Sequence, residues 1–256
     1  MKLLYEREGL PSFAIPAGLA RLYGGDLAVA GVYANFVASV DGVVALPVQE
    51  ESGGIISKSN DADHFVMGLL RACAGTVLVG AGTFRKGGGQ IWDAQSIYPA
   101  QAAAFATLRG SLGLSERPRF AVISAGGELD LTQPALKRDA VVITSKRGAA
   151  RLGSFPNLPV ESGLASILAS LPQPVLCEGG PTLIAQLIGQ DLNELFLTRS
   201  PFLFGRQQGD DRKALVEGEL LSSTRLELLS VRQDESYLFL RYALNARLKP
   251  VSPKTS

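Results

Sequence analysis

This chain of 256 residues has little histidine or cysteine and almost no excess of either charge. It holds one histidine, His64, and two cysteines, Cys73 and Cys177. With one histidine and two isolated cysteines no zinc pattern can be written, so no metal ligands are assigned. A Ser-His-Asp triad would have to use His64, which no nucleophile elbow accompanies. Hydrolase and metalloenzyme chemistry are therefore disfavoured. The two cysteines sit far apart in apolar surroundings and read as reduced core residues of a cytoplasmic protein, not as a disulfide. The 25 Lys and Arg balance 24 Asp and Glu, a net charge of +1. That balance gives no footprint for nucleic acid or an acidic membrane surface. No apolar run is long enough to span a membrane. The start, MKLLYEREGL, is broken by Glu6, Arg7 and Glu8 too early for a secretion signal.

What the chain does have is an ordinary globular composition, 46% hydrophobic and 19% charged. Residues 1–28 read as an irregular extension with one short helix. Gly31 to Val40 is β-branched and aromatic, a strand that stops at the turn Asp41-Gly42. Ser57, Ser59 and Asn60 offer caps for a helix from Asp61 to Cys73, with Phe65, Val66, Leu69, Leu70 and Cys73 on its apolar face. Short apolar strands follow at Thr76–Gly80, Phe120–Ser124, Ala140–Ser145, Val175–Cys177 and Leu195–Thr198. Helices between them predict an α/β domain over 29–246 with a mostly parallel sheet. Leu226–Val231 and Tyr237–Tyr242, with no helix between them, predict an antiparallel edge. Residues 247–256 read as a flexible tail.

The stretch PVLCEGGPTLIAQL, from Pro174 to Leu187, carries the strongest site signal. A strand runs through Glu178-Gly179-Gly180-Pro181-Thr182 into a helix that includes Leu183. Bare backbone N–H groups there favour a phosphate. A plain strand-to-helix connection uses glycine as well. Three more strands end in small or hydroxyl residues, at Gly80-Ala81-Gly82-Thr83, Ser124-Ala125-Gly126-Gly127 and Thr144-Ser145. Ligands bind at the carboxyl ends of strands in open α/β sheets, so four such ends point to a cofactor across the sheet edge. Gly80-Ala81-Gly82 is not a Rossmann fingerprint, because Arg85 stands where the third glycine belongs. Arg85, Lys86, Lys146 and Arg147 follow two of the ends and suit a 2′-phosphate, although surface loops carry such residues anyway. Asp41 most simply makes its turn, and Asp61 and Asp63 most simply favour a helix start. A carboxyl near the cofactor would also serve as a proton donor or substrate anchor. His64 reads as a surface or partly buried helix residue.

In their order, Ala38-Ser39-Val40-Asp41-Gly42, Ile56-Ser57, Leu70-Arg71-Ala72, Val79 to Thr83 and Glu178 to Leu183 resemble one family. It is the reductase domain of the bifunctional riboflavin-biosynthesis deaminase-reductases, with the wider dihydrofolate-reductase-like fold behind it. The resemblance implies a three-layer αβα sandwich, NADPH as hydride donor and a homodimer. It implies cofactor contacts at Gly80, Gly82, Thr83, Ser124, Thr144, Glu178, Gly179, Gly180, Pro181, Thr182 and Leu183. Asp63 and Asp41 become the candidate catalytic acids, and Asn35, Ser39, Ser57 and Arg71 the substrate side. Two features depart from the family: the deaminase His/Cys zinc motif is absent, and Lys86-Gly87-Gly88-Gly89-Gln90 replaces an acidic-proline segment ending in arginine. The expected activity is reduction of a small heterocycle, with 5-amino-6-(5-phosphoribosylamino)uracil as leading substrate. A pterin or dihydrofolate-type reductase, and a nucleotide-binding protein with little turnover, stand beside it.

Overall fold

The computed structural model describes residues 1–48, 50–188, 191–207, 209–218 and 224–244. In chain order the elements are β1 (Lys2–Glu6), α1 (Ala17–Tyr23), β2 (Val32–Ala38), α2 (Ser52–Ser57), α3 (Asp61–Cys73), β3 (Thr76–Gly80), α4 (Ala81–Lys86), α5 (Ala94–Ile97), α6 (Ala102–Ser111), β4 (Arg119–Ile123), β5 (Ala140–Thr144), α7 (Lys146–Leu152), β6 (Asn157–Pro159), α8 (Leu164–Ser170), β7 (Val175–Cys177), α9 (Pro181–Leu187), β8 (Leu192–Arg199), β9 (Leu226–Asp234) and β10 (Tyr237–Leu244). The strands form one ten-stranded sheet in the order β1-β9-β10-β8-β2-β7-β3-β4-β5-β6. From β8 to β6 every pairing is parallel. The β1, β9, β10 and β8 pairings are antiparallel.

Alternation along the strands splits the core into two layers. Val77 and Val79 of β3 join the cluster that holds Leu19, Phe65, Leu69, Leu70 and Phe105. Leu78, between them, joins the cluster under α8 and α9, with Ile167, Leu168, Ile184 and Leu187. Helices thus cover both faces, the α/β architecture with a mostly parallel sheet and antiparallel edge. Helix α3 anchors one face. The Asn60 side chain caps it by accepting from Asp63 N at 2.9 Å. Burying Phe65, Leu69 and Leu70 contributes about 1.5–3 kcal/mol each.

The N-terminal stretch is more regular than its composition suggests. Its residues 2–6 add β1 to the sheet, and Leu19, Tyr23 and Leu27 are buried in the core. Ser52–Ser57 is a helix despite two glycines, because the Glu51 carboxylate accepts from Gly53 N at 2.9 Å and Gly54 N at 3.1 Å. The tail at 247–256 lies outside the described residues.

Candidate functional site

A cleft of about 940 Å³ opens at the carboxyl ends of the parallel strands. One wall is made by two turns, β3 into α4 and β7 into α9, that lie against each other. A Cβ built on Gly180 would stand 3.5 Å from Thr83 Oγ1, and one on Gly80 would stand 4.0 Å from Gly180 N. A Cβ on Gly179 would come within 2.4 Å of Leu183 Cδ2 and 3.1 Å of Gly80 N. A Cβ on Gly82 would meet nothing within 4 Å. None of these four glycines has a positive φ. Their bareness therefore serves close approach, between the turns at Gly179 and toward the cleft at Gly82. Pro181, Thr182 and Leu183 complete this wall.

Arg71 and Glu178 also line the cleft, and they hold each other. Arg71 Nη2 donates to Glu178 Oε2 at 2.7 Å, and Nε donates to the same carboxylate at 3.0 and 3.2 Å. Both side chains are more than nine-tenths buried. The pair ties the last turn of α3 to the end of β7, so two of the guanidinium's three nitrogens are already engaged.

The opposite end of the cleft is acidic and polar. Asp63 is only 3% exposed, so it is a buried group and not the exposed helix-start aspartate that sequence also allowed. Burial pushes its carboxyl up from 3.8 to about 6, opposed by the facing Thr198 hydroxyl and by His64, and reinforced by Glu51. The Ser57 hydroxyl faces the same carboxyl and tempers the rise, without a hydrogen bond of full quality. Asn35, on β2, is 8% exposed, and its Oδ1 has no partner among the described residues. Asn35, Asp63, Glu51 and His64 all line the cleft. His64, half-buried, therefore faces the site.

Five predicted positions lie outside the lining. The Ser39 hydroxyl donates to Asp41 Oδ1 at 2.5 Å and accepts from Val43 N at 2.9 Å. Asp41 also accepts from Gly205 N at 2.6 Å. These bonds hold its carboxyl below the usual range, the Ser39 bond first. Ser39 and Asp41 thus brace the turn after β2 against the 204–205 loop. Ser57 is fully buried beside Asp63. The Thr144 hydroxyl donates to Ser124 O at 2.6 Å, tying β5 to β4. Ile123, one residue before Ser124, is what the cleft shows of that strand end. Of the four basic residues, Lys86 alone lines the cleft. Its Nζ donates to Leu46 O at 2.9 Å. Arg85, Lys146 and Arg147 are exposed.

Residues that sequence reasoning missed close the cleft. Val44 N and Ala45 O bond to the backbone of Lys213 at 2.9 and 3.0 Å, so two loops pair into a strap that lines the cleft. Lys86 pins that strap to α4. Glu51, from the loop before α2, lines the cleft, and Thr198, on β8, stands beside Asp63; no motif flagged either.

The sequence profile of the family described as the RibD C-terminal domain matches residues 30–240. No curated protein sequence matches the chain. Among solved structures the chain is similar to a pyrimidine reductase-like protein from Corynebacterium diphtheriae, at 20% identity and a TM-score of 0.67, covering 88% of this chain and 98% of that one. It is similar to RibD from Acinetobacter baumannii, at 21% identity and a TM-score of 0.64. There it covers 83% of this chain and 57% of the other, so it spans little more than half that protein's length. The riboflavin biosynthesis reductase Rib7 of Saccharomyces cerevisiae follows at 13% identity and a TM-score of 0.53, covering 89% and 98%. At these identities the likeness is one of fold.

Proposed function

Because the chain belongs to the RibD C-terminal domain family, we propose that it is an NADPH-dependent reductase of a small heterocycle, with 5-amino-6-(5-phosphoribosylamino)uracil as leading substrate. One observation carries the reading: a single cleft joins a bare glycine wall to a buried carboxyl whose proton affinity is raised. The glycine wall fits a dinucleotide. Backbone is uncovered at Gly80, Gly82 and Gly180, and the space beyond Gly82 is one that a side chain would fill. Thr83, Thr182 and those backbones would hold the cofactor, which supplies a hydride when bound.

The chain's own residues do the rest. Asp63, half protonated near pH 6, can give a proton to a substrate nitrogen or accept a hydrogen bond from a ring N–H. Asn35 lines the same cleft on the substrate side. The strap of Val44, Ala45 and Lys213 lines the cleft and would shield a bound substrate from water. Lys86 brings a positive charge to the strap end, suited to an anionic substituent. Lys146 and Arg147 after β5 support NADPH over NADH.

The reading includes a cytoplasmic homodimer. Cys73 and Cys177 are buried and unpaired, as a reducing compartment would leave them. An apolar row crosses five strands in register, Phe36, Leu197, Leu240, Val231 and Tyr5, on the sheet face opposite Thr198 and Arg232. Its members are half-buried or exposed, as an interface would need.

The test is steady NADPH oxidation with a panel of ribosylaminopyrimidine and pterin substrates. Turnover of the ribosylaminopyrimidine is expected. Turnover of a pterin alone favours the pterin reductase. Tight NADPH binding with no turnover favours a nucleotide-binding protein.

A further inference from the structure

Beside the cleft, sharing Asn35 with it, lies a second, much smaller space. It is a void of about 10 Å³ lined by Tyr23, Asn35, Thr198, Ser230 and Arg241, among others. That is room for one water molecule. Its walls are polar where a water would need partners. Asn35 Oδ1 is buried and unpaired among the described residues. Ser230 Oγ accepts from Arg232 Nη1 at 2.8 Å, which leaves its own proton to donate. The Thr198 hydroxyl faces the Asp63 carboxyl and lowers its proton affinity, as a donor would, which would leave its lone pairs to accept.

We propose that this void holds one water molecule, and that the water closes a hydrogen-bond chain running from Arg232 through Ser230 and Thr198 to Asp63. The donors and acceptors fall in one direction. Arg232 donates to Ser230, Ser230 donates to the water, and the water donates to Asn35 Oδ1 and Thr198 Oγ1. Thr198 then donates to the Asp63 carboxylate. Each link polarises the next, so a guanidinium that does not touch the cleft stabilises the charge of a carboxylate that does. Arg232 is 1% exposed. Its Nη2 donates to Glu6 Oε2 on β1 at 2.7 Å, and its guanidinium lies 4.0 Å from the ring centre of Tyr23 on α1. Residues 1–28 would thereby reach the site: they hold the first member of the chain.

The other groups facing Asp63 are accounted for. His64 is on its own helix, Glu51 precedes α2, and Tyr237 approaches from β10 while its hydroxyl donates to Ser57 O at 2.9 Å. None of them lines the void.

Two measurements on the full chain decide it. A high-resolution crystal structure, with water-to-amide cross-relaxation in solution, should find the void occupied in the wild-type protein. Carboxyl-carbon NMR should follow the Asp63 midpoint in wild type, Thr198→Val, Ser230→Ala and the double variant. Losing a donor to a carboxylate raises its pKa, so Thr198→Val should move the midpoint up by about one unit. Ser230→Ala should move it the same way by less, though Ser230 does not touch Asp63. The double variant should match Thr198→Val alone, because the chain passes through Thr198. A dry void overturns the proposal, and so does an unmoved midpoint in Ser230→Ala or additive shifts in the double variant. Should Ser230→Ala fail to fold, occupancy of the void in the wild type decides alone. All these readouts stand whatever the substrate is.

Discussion

Replacing Asp63 by asparagine should stabilise the protein and cripple it at once. The carboxyl is buried, and burial raises it from 3.8 to about 6. A shift of about two units, at about 1.4 kcal/mol each, sets about 3 kcal/mol against folding wherever the group is ionised. The sign follows from where the proton binds more tightly. The folded state holds it until about pH 6, the unfolded chain only until about pH 4. Below pH 4 both states are protonated and the penalty vanishes. It grows between pH 4 and 6 and is complete above. Asparagine carries no charge at any of these values. Its amide still needs partners beside Thr198, so the net gain near pH 7.5 is smaller, about 1–2 kcal/mol. For a chain of this size that raises Tm by roughly 2–8 °C. The gain should shrink toward zero as pH falls to about 4.5. Over the same series kcat/KM should fall by about a hundredfold or more, while the NADPH dissociation constant barely moves. Thermal unfolding and steady-state rates between pH 4.5 and 8 provide both numbers. An Asp63→Asn protein that is less stable at pH 7.5, or that keeps its rate on the true substrate, refutes the reasoning.

Gly82→Val should fold as the wild type does, since its Cβ meets nothing, and should weaken NADPH binding at least about tenfold by filling the space a phosphate approaches; a normal dissociation constant would remove Gly82 from the site. Gly179→Val should lose stability as well as binding, because its side chain strikes Leu183 and the Gly80 backbone; urea unfolding separates it from Gly82→Val. Arg71→Ala should cost about 3–5 kcal/mol by leaving Glu178 buried without its partner, read by the same unfolding. NADPH should bind more tightly than NADH, and equal affinities would remove Lys146 and Arg147 from the cofactor site.

Local chemistry made much of this molecule legible. The bounds of α3 follow from the Asn60 cap and the spacing of Phe65, Leu69 and Cys73, and Asp61–Cys73 is the helix observed. Strand β3 and the β7-to-α9 turn were equally plain from apolar runs bounded by glycine. What sequence could not reveal depends on partners far along the chain. Arg71 and Glu178, 107 residues apart, read as separate ligand contacts until the fold placed them against each other. Ser39 reads as a substrate contact and Asp41 as a candidate catalytic acid, yet their hydrogen bonds run to their own turn and to Gly205. Helix α2 was invisible because its two glycines disfavour a helix, and only the Glu51 carboxylate compensates. Strand β1 was missed for a related reason: all five of its residues are exposed, so no burial pattern marks it. Thr198 gave no signal either, since a threonine in an apolar strand looks like any other until Asp63 lies beside it.

The most direct test follows the hydride itself. The protein is incubated with the ribosylaminopyrimidine and NADPH carrying deuterium at C4, each face labelled in turn, and the product is weighed by mass spectrometry. One label should give a product one mass unit heavier than the other does, with one NADPH consumed per product. A product that carries no deuterium from either label, or NADPH that binds and is never consumed with any heterocycle offered, would contradict the account.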